Sequence, residues 1–349
     1  MHRFACSAAA GVLLVLSLTA CRSTSKPDHA PLPAAESYPA IGSIERLDPR
    51  LDLLIAPGTP IEKLAEGFDW SEGPVWVTQG NYLLFSDVPR NTVYKWTEGG
   101  EATVFLSPSG YTGPQNRGGE PGSNGLLLDA EGRLILCQHG DRRIARLAPD
   151  WTFQTLARFF QYRRFNSPND AVYRSNGDLY FTDPPYGLEK LNDDPAKELM
   201  FSGVFRLAAN GQLQLLTGRL TFPNGIAFSP DERILYVAVS DSQRPVIMAF
   251  DVAPDGSLHR ERVFFDAAPL RSGRKGLPDG LKVDHQGNLF ATGPGGVLVI
   301  APDATLLGII NTGEATANCA WGNDGSVLYI TADMFLCRVR TLTSGAGAP

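Results

Sequence analysis

The chain has 349 residues, 43% hydrophobic and 19% charged, with 36 glycines, 26 prolines and a formal net charge of −6. That balance excludes a disordered or fibrous chain and points to a globular one rich in turns. It also excludes nucleic acid as the expected partner, since no basic patch is available to neutralise phosphates.

The first element is a targeting segment. Arg3 begins it, and Ala8 to Leu18 is an apolar run too short to span a bilayer comfortably. It ends in Leu18-Thr19-Ala20-Cys21, which resembles a bacterial lipobox. Residues 1–20 are therefore expected to be a lipoprotein signal peptide, with Cys21 the lipidated first residue; an ordinary cleaved signal peptide is the other reading. Arg22 rather than Asp follows Cys21, which fits anchoring on the periplasmic side of an outer membrane. Residues 21–43, rich in Ser, Pro and Ala, read as a flexible linker that buries too little apolar surface to fold. Membrane contact is expected through that anchor only.

The folded region is expected over residues 44–342. Ile61–Glu66 reads as an isolated strand, and a six-fold echo follows. Its members are Ser71-Glu72-Gly73-Pro74, Ser123-Asn124-Gly125-Leu126, Pro168-Asn169-Asp170-Ala171, Pro223-Asn224-Gly225-Ile226, Pro278-Asp279-Gly280-Leu281 and Ala317-Asn318-Cys319-Ala320. Each sets an oxygen-bearing side chain before an apolar strand. A turn rich in Asn, Asp and Gly comes next, then a second strand (Tyr82–Ser86, Leu134–Cys137, Leu179–Thr182, Ile234–Val239, Leu289–Thr292, Leu328–Thr331). A third strand follows a variable loop, and a fourth closes each unit except the last. The spare strand at Ile61–Glu66 can fill that vacancy and remove the exposed edges. The expected fold is all-β: a six-bladed β-propeller whose last blade is completed by an N-terminal strand. Cys137, Cys319 and Cys337 remain in the folded part; Cys319 and Cys337 are either a disulfide or two buried thiols.

In a propeller the first strand of every blade lines the axis, so the six oxygen side chains are expected to meet in one channel mouth. One Glu, one Asp and four Asn form a hard donor set without His or Cys, suited to Ca²⁺ or Mg²⁺ rather than zinc. Asn or Asp before Gly is also ordinary turn chemistry. That explains less well why Pro precedes Asn169, Asn224 and Asp279. On the same face, Cys137-Gln138-His139-Gly140-Asp141-Arg142-Arg143 is expected to bring an imidazole and two guanidinium groups, and Asp183-Pro184-Pro185-Tyr186-Gly187 a phenol. The connections Pro108–Ser123 and Ala268–Pro278 reach this face as well.

Taken together, Arg164-Phe165-Asn166-Ser167-Pro168-Asn169-Asp170, Tyr180-Phe181-Thr182-Asp183-Pro184-Pro185-Tyr186-Gly187, Phe222-Pro223-Asn224-Gly225 and Leu277-Pro278-Asp279-Gly280-Leu281-Lys282 resemble the SMP-30/gluconolactonase/luciferin-regenerating family, and the run from Cys137 to Arg143 resembles its bacterial gluconolactonase branch. The resemblance implies a propeller with one catalytic divalent cation and lactone hydrolysis. It implies Glu72, Asn169, Asn224 and Asp279 as metal residues, and Ca²⁺ as the ion, with Mg²⁺, Mn²⁺ or Zn²⁺ as other divalent candidates. Asn169, Asn124 and Tyr186 are the expected substrate contacts. Asp279 is the expected general base, with His139 second. Some members of the family have Arg where this chain has Ser167. Rival expectations are a phosphotriesterase or arylesterase on the same ion, and a lipid-anchored propeller that binds a ligand without turnover.

Overall fold

The computed structural model describes Met1 and residues 38–115 and 118–347. The signal segment, Cys21 and most of the linker lie outside the described residues.

Six antiparallel sheets follow one another around a ring. Blade 1 is Ser71–Val77, Tyr82–Asp87, Thr92–Trp96 and Thr103–Leu106. Blade 2 is Ser123–Leu128, Leu134–Gln138, Arg143–Leu147 and Phe153–Ala157. Blade 3 is Ala171–Tyr173, Leu179–Asp183, Gly203–Leu207 and Leu213–Thr217. Blade 4 is Pro223–Phe228, Ile234–Val239, Val246–Val252 and Leu258–Asp266. Blade 5 is Leu281–Val283, Leu289–Gly293, Gly296–Ile300 and Leu306–Asn311. Blade 6 is Asn318–Gly322, Val327–Ala332 and Phe335–Arg340, and Ile61–Glu66 pairs with its last strand. The chain is thus a six-bladed propeller closed by its N-terminal strand. First strands of neighbouring blades touch all round the ring, blade 6 against blade 1 included.

Two short strands extend the closure beyond expectation. Ala40–Ile41 adds to Ile61–Glu66, and Ser43–Arg46 pairs with the outer edge of blade 5. Structure therefore begins inside the stretch read as linker. The local sequence is short and mixed, and what orders it is a ready sheet edge that needs covering. A hairpin at Phe159–Phe160 and Arg163–Arg164 was also not expected; Gln161 and Tyr162 take positive φ to make its turn.

The core is layered. Six apolar clusters lie among the described residues, one between each pair of adjacent blades. The strands read as near-continuous apolar runs because both faces of a blade are covered. Cys137, Cys319 and Cys337 are buried free thiols. Cys319 and Cys337 both lie opposite Ile330 on the strand between them, so they are not juxtaposed for a disulfide. Among the described residues no helix is long and apolar enough to cross a membrane.

Candidate active site

The oxygen residues are aimed by local backbone devices. In blades 1, 2 and 4 the pairing of first and second strands slips just after Glu72, Ser123 and Pro223. Such a bulge turns a side chain out of the ladder's alternation. In blades 3 and 5 the ladder starts later, at Ala171 and Leu281, leaving Asn169 and Asp279 ahead of it.

The glycine that follows four of these residues has a purpose the sequence did not disclose. A Cβ on Gly73 would lie 2.0 Å from the Asn124 carbonyl oxygen, on Gly125 2.7 Å from that of Asn169, and on Gly225 2.2 Å from that of Asp279. These glycines let the mouth of one blade press against the next. Gly125 N–H donates to Asn169 O at 2.7 Å and Gly225 N–H to Asp279 O at 3.1 Å. Hydroxyls on second strands add to this belt: Ser86 Oγ donates to Asn124 O, Thr182 Oγ1 to Asn224 O and Thr292 Oγ1 to Ala317 O. The blade-to-blade contact thus fixes the carbonyl side of the same residues whose side chains face the axis.

Glu72, Asn124, Asn169, Asn224, Asp279 and Tyr186 all line one cavity of about 640 Å³, with Trp70, Glu120, Ser240, Arg271 and Arg274. Glu72, Asn124, Asn169 and Asn224 are almost wholly buried. Their donors and acceptors divide unevenly. The Oδ1 atoms of Asn124, Asn169 and Asp279 are buried without a hydrogen-bond partner. Asn224 Nδ2 donates to Ser240 Oγ at 3.0 Å, which turns its amide nitrogen toward that serine. Three orphaned acceptors beside a glutamate are an arrangement that buried polar groups rarely show unless a positive ligand answers them.

The carboxylates tell the same story. Burial raises Glu72 to about 8, and the charges of Asp170 and Glu120 add to that, against the Gly73 N–H and the Asn318 amide. Asp279 is pushed well above the usual carboxylate range by burial first, then by Glu72, Glu120 and Asp170. Two acids held this way repel each other until a cation or protons neutralise them. Among the described residues no three His, Cys, Asp or Glu side chains form a cluster, so a cation here would rely on the amide oxygens. The residues present fit a hard divalent ion: two carboxylates and up to three amide oxygens, with no sulfur or imidazole on the wall.

Several expected residues lie elsewhere. Asn318, the sixth member of the echo, is off the cavity wall: its Oδ1 accepts Cys319 N–H and its amide supports Glu72 and Asp170. His139 is fully buried behind the wall. Its Nδ1 lies 3.0 Å from Glu120 Oε2, and its Nε2 3.5 Å from Asn169 Nδ2. The imidazole therefore joins a cavity carboxylate to a cavity amide rather than facing a substrate. Arg142 and Arg143 do not serve the mouth. Arg142 donates to the carbonyls of Phe165 and Ala196, and Arg143 to Gln138 and Asp141. Ser167 is a buried brace, its Oγ donating to Pro184 O and accepting Gly187 N–H, so it holds the Tyr186 loop. Tyr186 stacks at a tilt on Phe222, with ring centres 5.6 Å apart.

Glu120, Trp70, Arg271 and Arg274 were not singled out by sequence reasoning. The two roof connections were, but nothing local marks which of their side chains turns inward.

Comparison with known proteins agrees with this architecture. Residues 70–333 match the family described as SMP-30/Gluconolactonase/LRE-like region. A gluconolactonase of Zymomonas mobilis is 43% identical over 313 residues, covering 87% of this chain and 88% of that protein. A pentonolactonase of Haloferax volcanii is 30% identical over 266 residues, covering 74% and 80%. Among solved structures, a gluconolactonase of Xanthomonas campestris superposes with a TM-score of 0.77 at 32% identity, covering 89% of this chain and 98% of that one. With the motifs, the ring of blades and the axial mouth all in agreement, this chain belongs to the SMP-30/gluconolactonase/LRE-like family.

Proposed function

We infer that this protein hydrolyses a lactone to its hydroxy acid, and that it does so with a divalent cation in the axial mouth. The observation that carries the metal reading is the pair of orphaned oxygens on Asn169 and Asp279 beside Glu72, with the Asn124 oxygen left open to a ligand next to them. The lactone reading draws on the relatives, which are lactone hydrolases at 43% and 30% identity.

Glu72, Asn169, Asn224 and Asp279 would hold the ion, and the oxygen-only donors favour Ca²⁺ or Mg²⁺. When bound, such an ion supplies a Lewis acid for the carbonyl oxygen and balances the charge that gathers there. The chain's own groups supply the rest. Asp279 takes the proton of the attacking water, since its carboxylate lines the cavity and its Oδ1 has no other partner. Asn124 and the Tyr186 phenol hold the lactone by its ring substituents. His139 does its work through others: it keeps Glu120 on the roof and the Asn169 amide oriented. The buried Ser86, Ser123 and Ser167 are each engaged in hydrogen bonds within the fold, and a serine nucleophile is not needed.

Turnover of glucono-1,5-lactone before and after EDTA, with metal analysis of the purified protein, tests this reading. Activity lost in chelator and restored by Ca²⁺ or Mg²⁺ is expected; full activity in chelator would remove the ion from the mechanism. Paraoxon and phenyl acetate belong in the same panel, because a phosphotriesterase or arylesterase could use the same oxygens. If nothing turns over while the metal remains, the protein is a binding propeller. Lipidation of Cys21 and a periplasm-facing membrane location are part of the proposal, resting on the lipobox pattern. Mass spectrometry of the N-terminal peptide from native membranes checks both.

A further inference from the structure

The wall of the cavity is polarised. Glu72, Asp279 and Glu120 make part of it acidic, while the connection between blade 4 and Asp279 contributes Arg271 and Arg274. Both arginines are anchored, Arg274 from a half-buried position and Arg271 from an exposed one. Arg274 Nη2 donates to Glu45 Oε2 at 2.8 Å, and Glu45 belongs to the added strand Ser43–Arg46. The Arg274 stem lies over Gly295, where a Cβ would come 3.0 Å from its Cδ. Gly295 has φ of +100° and donates its N–H to Lys275 O at 2.8 Å, so the same residue makes room for the stem and pins the loop. Arg271 Nη1 donates to Ser242 O, and its backbone carbonyl accepts Arg274 N–H.

What remains unmatched is informative. Arg274 Nη1 is turned toward Gly295 and closed off, so the part of its guanidinium that borders the cavity is the rest of the fork, of which Nη2 is held by Glu45. Arg271 has no ion pair with any described carboxylate, although the cavity it borders holds three. A cation kept apart from nearby acids is a charge left for something that enters. Glu45 neutralises Arg274 only in part of its donor set and fixes its plane.

We propose that Arg271 and Arg274 form an oxyanion subsite, and that the preferred substrate is a lactone bearing an anionic substituent, either carboxylate or phosphate, away from the ring carbonyl. This rests on the lactone reading above. The guanidinium fork suits both oxyanions, and Glu45 is a positioning residue that presents it.

The test compares wild type, Arg274→Gln, Arg271→Gln and Glu45→Gln. The substrates are glucono-1,5-lactone (neutral), glucaro-1,4-lactone (carboxylate) and 6-phosphoglucono-1,5-lactone (phosphate). Wild type is expected to show higher kcat/KM on one of the anionic lactones than on the neutral one, and the anionic arm that wins identifies the oxyanion. Arg274→Gln should cost about tenfold more on that substrate than on the neutral lactone, the loss expected for one charged hydrogen bond. Glu45→Gln should show a smaller loss of the same kind, mainly in KM. Equal losses on neutral and anionic substrates, or a wild-type preference for the neutral one, would overturn the subsite. Calorimetric titration of gluconate, glucarate and 6-phosphogluconate into wild type and Arg274→Gln provides a readout without turnover. If no lactone is hydrolysed, the enzymatic reading fails, and the subsite is then judged by whether Arg274→Gln weakens the dianion more than gluconate. Circular dichroism confirms that each variant is folded.

Discussion

At the scale of single residues, the site is defined by acceptors without donors. Asp279 is the sharpest case: half-buried on the cavity wall, with an orphaned Oδ1 and a carboxyl raised by burial and by Glu72. Asp279→Asn should lower kcat/KM by about 10²–10⁴, the range for loss of a positioned base. Metal analysis of the variant separates the two roles proposed for Asp279. Turnover retained with metal bound would remove it from proton transfer. The raised acids also predict how stability responds to pH. Glu72, at about 8 in the fold, binds a proton that the unfolded chain has already lost above its ordinary range near 4.5. Its contribution is therefore fully present below about pH 4.5 and is lost as pH rises toward 8. Asp183, held at about 7 by burial, acts in the same direction but is exhausted above pH 7. In EDTA the thermal midpoint should fall from pH 5 to 8. Millimolar Ca²⁺ should flatten the pH 7–8 portion, because an ion that binds carboxylates stabilises the deprotonated fold. An identical slope with and without the ion would speak against a cation at Glu72 and Asp279.

At the scale of elements, the strand starts matter more than the strands. Gly73 combines a φ of +48° with a carbonyl oxygen 2.0 Å from where a Cβ would be. Gly225 lacks positive φ but meets the Asp279 carbonyl at 2.2 Å. Gly73→Ala and Gly225→Ala should each cost about 2–4 kcal/mol in urea unfolding, from overpacking and strain. Both should also weaken metal binding, since the clash moves Asn124 or Asp279. The closing strand offers a second test. Arg338 is buried in blade 6; its Nε donates to Glu62 on Ile61–Glu66, and its other nitrogens to Glu98. Its guanidinium also lies 5.0 Å from the Tyr38 ring centre and 5.9 Å from that of Trp96. Arg338→Ala should cost about 1.5–3 kcal/mol in the same unfolding experiment, the magnitude for losing hydrogen bonds to charged groups when the acids themselves stay in reach of water. Arg338→Met, which keeps the packing, should cost less.

At the scale of the whole molecule, a ring of six blades turns a repeat in sequence into a convergence in space. The repeat interval, the oxygen residue ahead of each apolar run and the missing fourth strand of the last unit were all legible in one dimension. Local periodicity and turn chemistry settle strands, and a ring is the arrangement that leaves none of their edges open. So blade number, closure at Ile61–Glu66 and five of the six inward oxygens could be read directly. Asn318 could not be told from the others, because its departure depends on its amide serving both Glu72 of the adjacent blade and Asp170. His139 looked like a cavity group because its loop is on the right face; whether a loop side chain points in or back depends on what packs above it, here Glu120. Ala40–Ile41 looked like linker because its order is conferred by the closing strand Ile61–Glu66. The amino-acid order alone therefore determined the repeat and the kind of donor each repeat offers, since both are written in nearest-neighbour chemistry. Only the tertiary structure decided which donors stay unpaired, which arginines reach the wall and why the glycines are there. Those properties belong to contacts between blades that lie tens of residues apart in the chain.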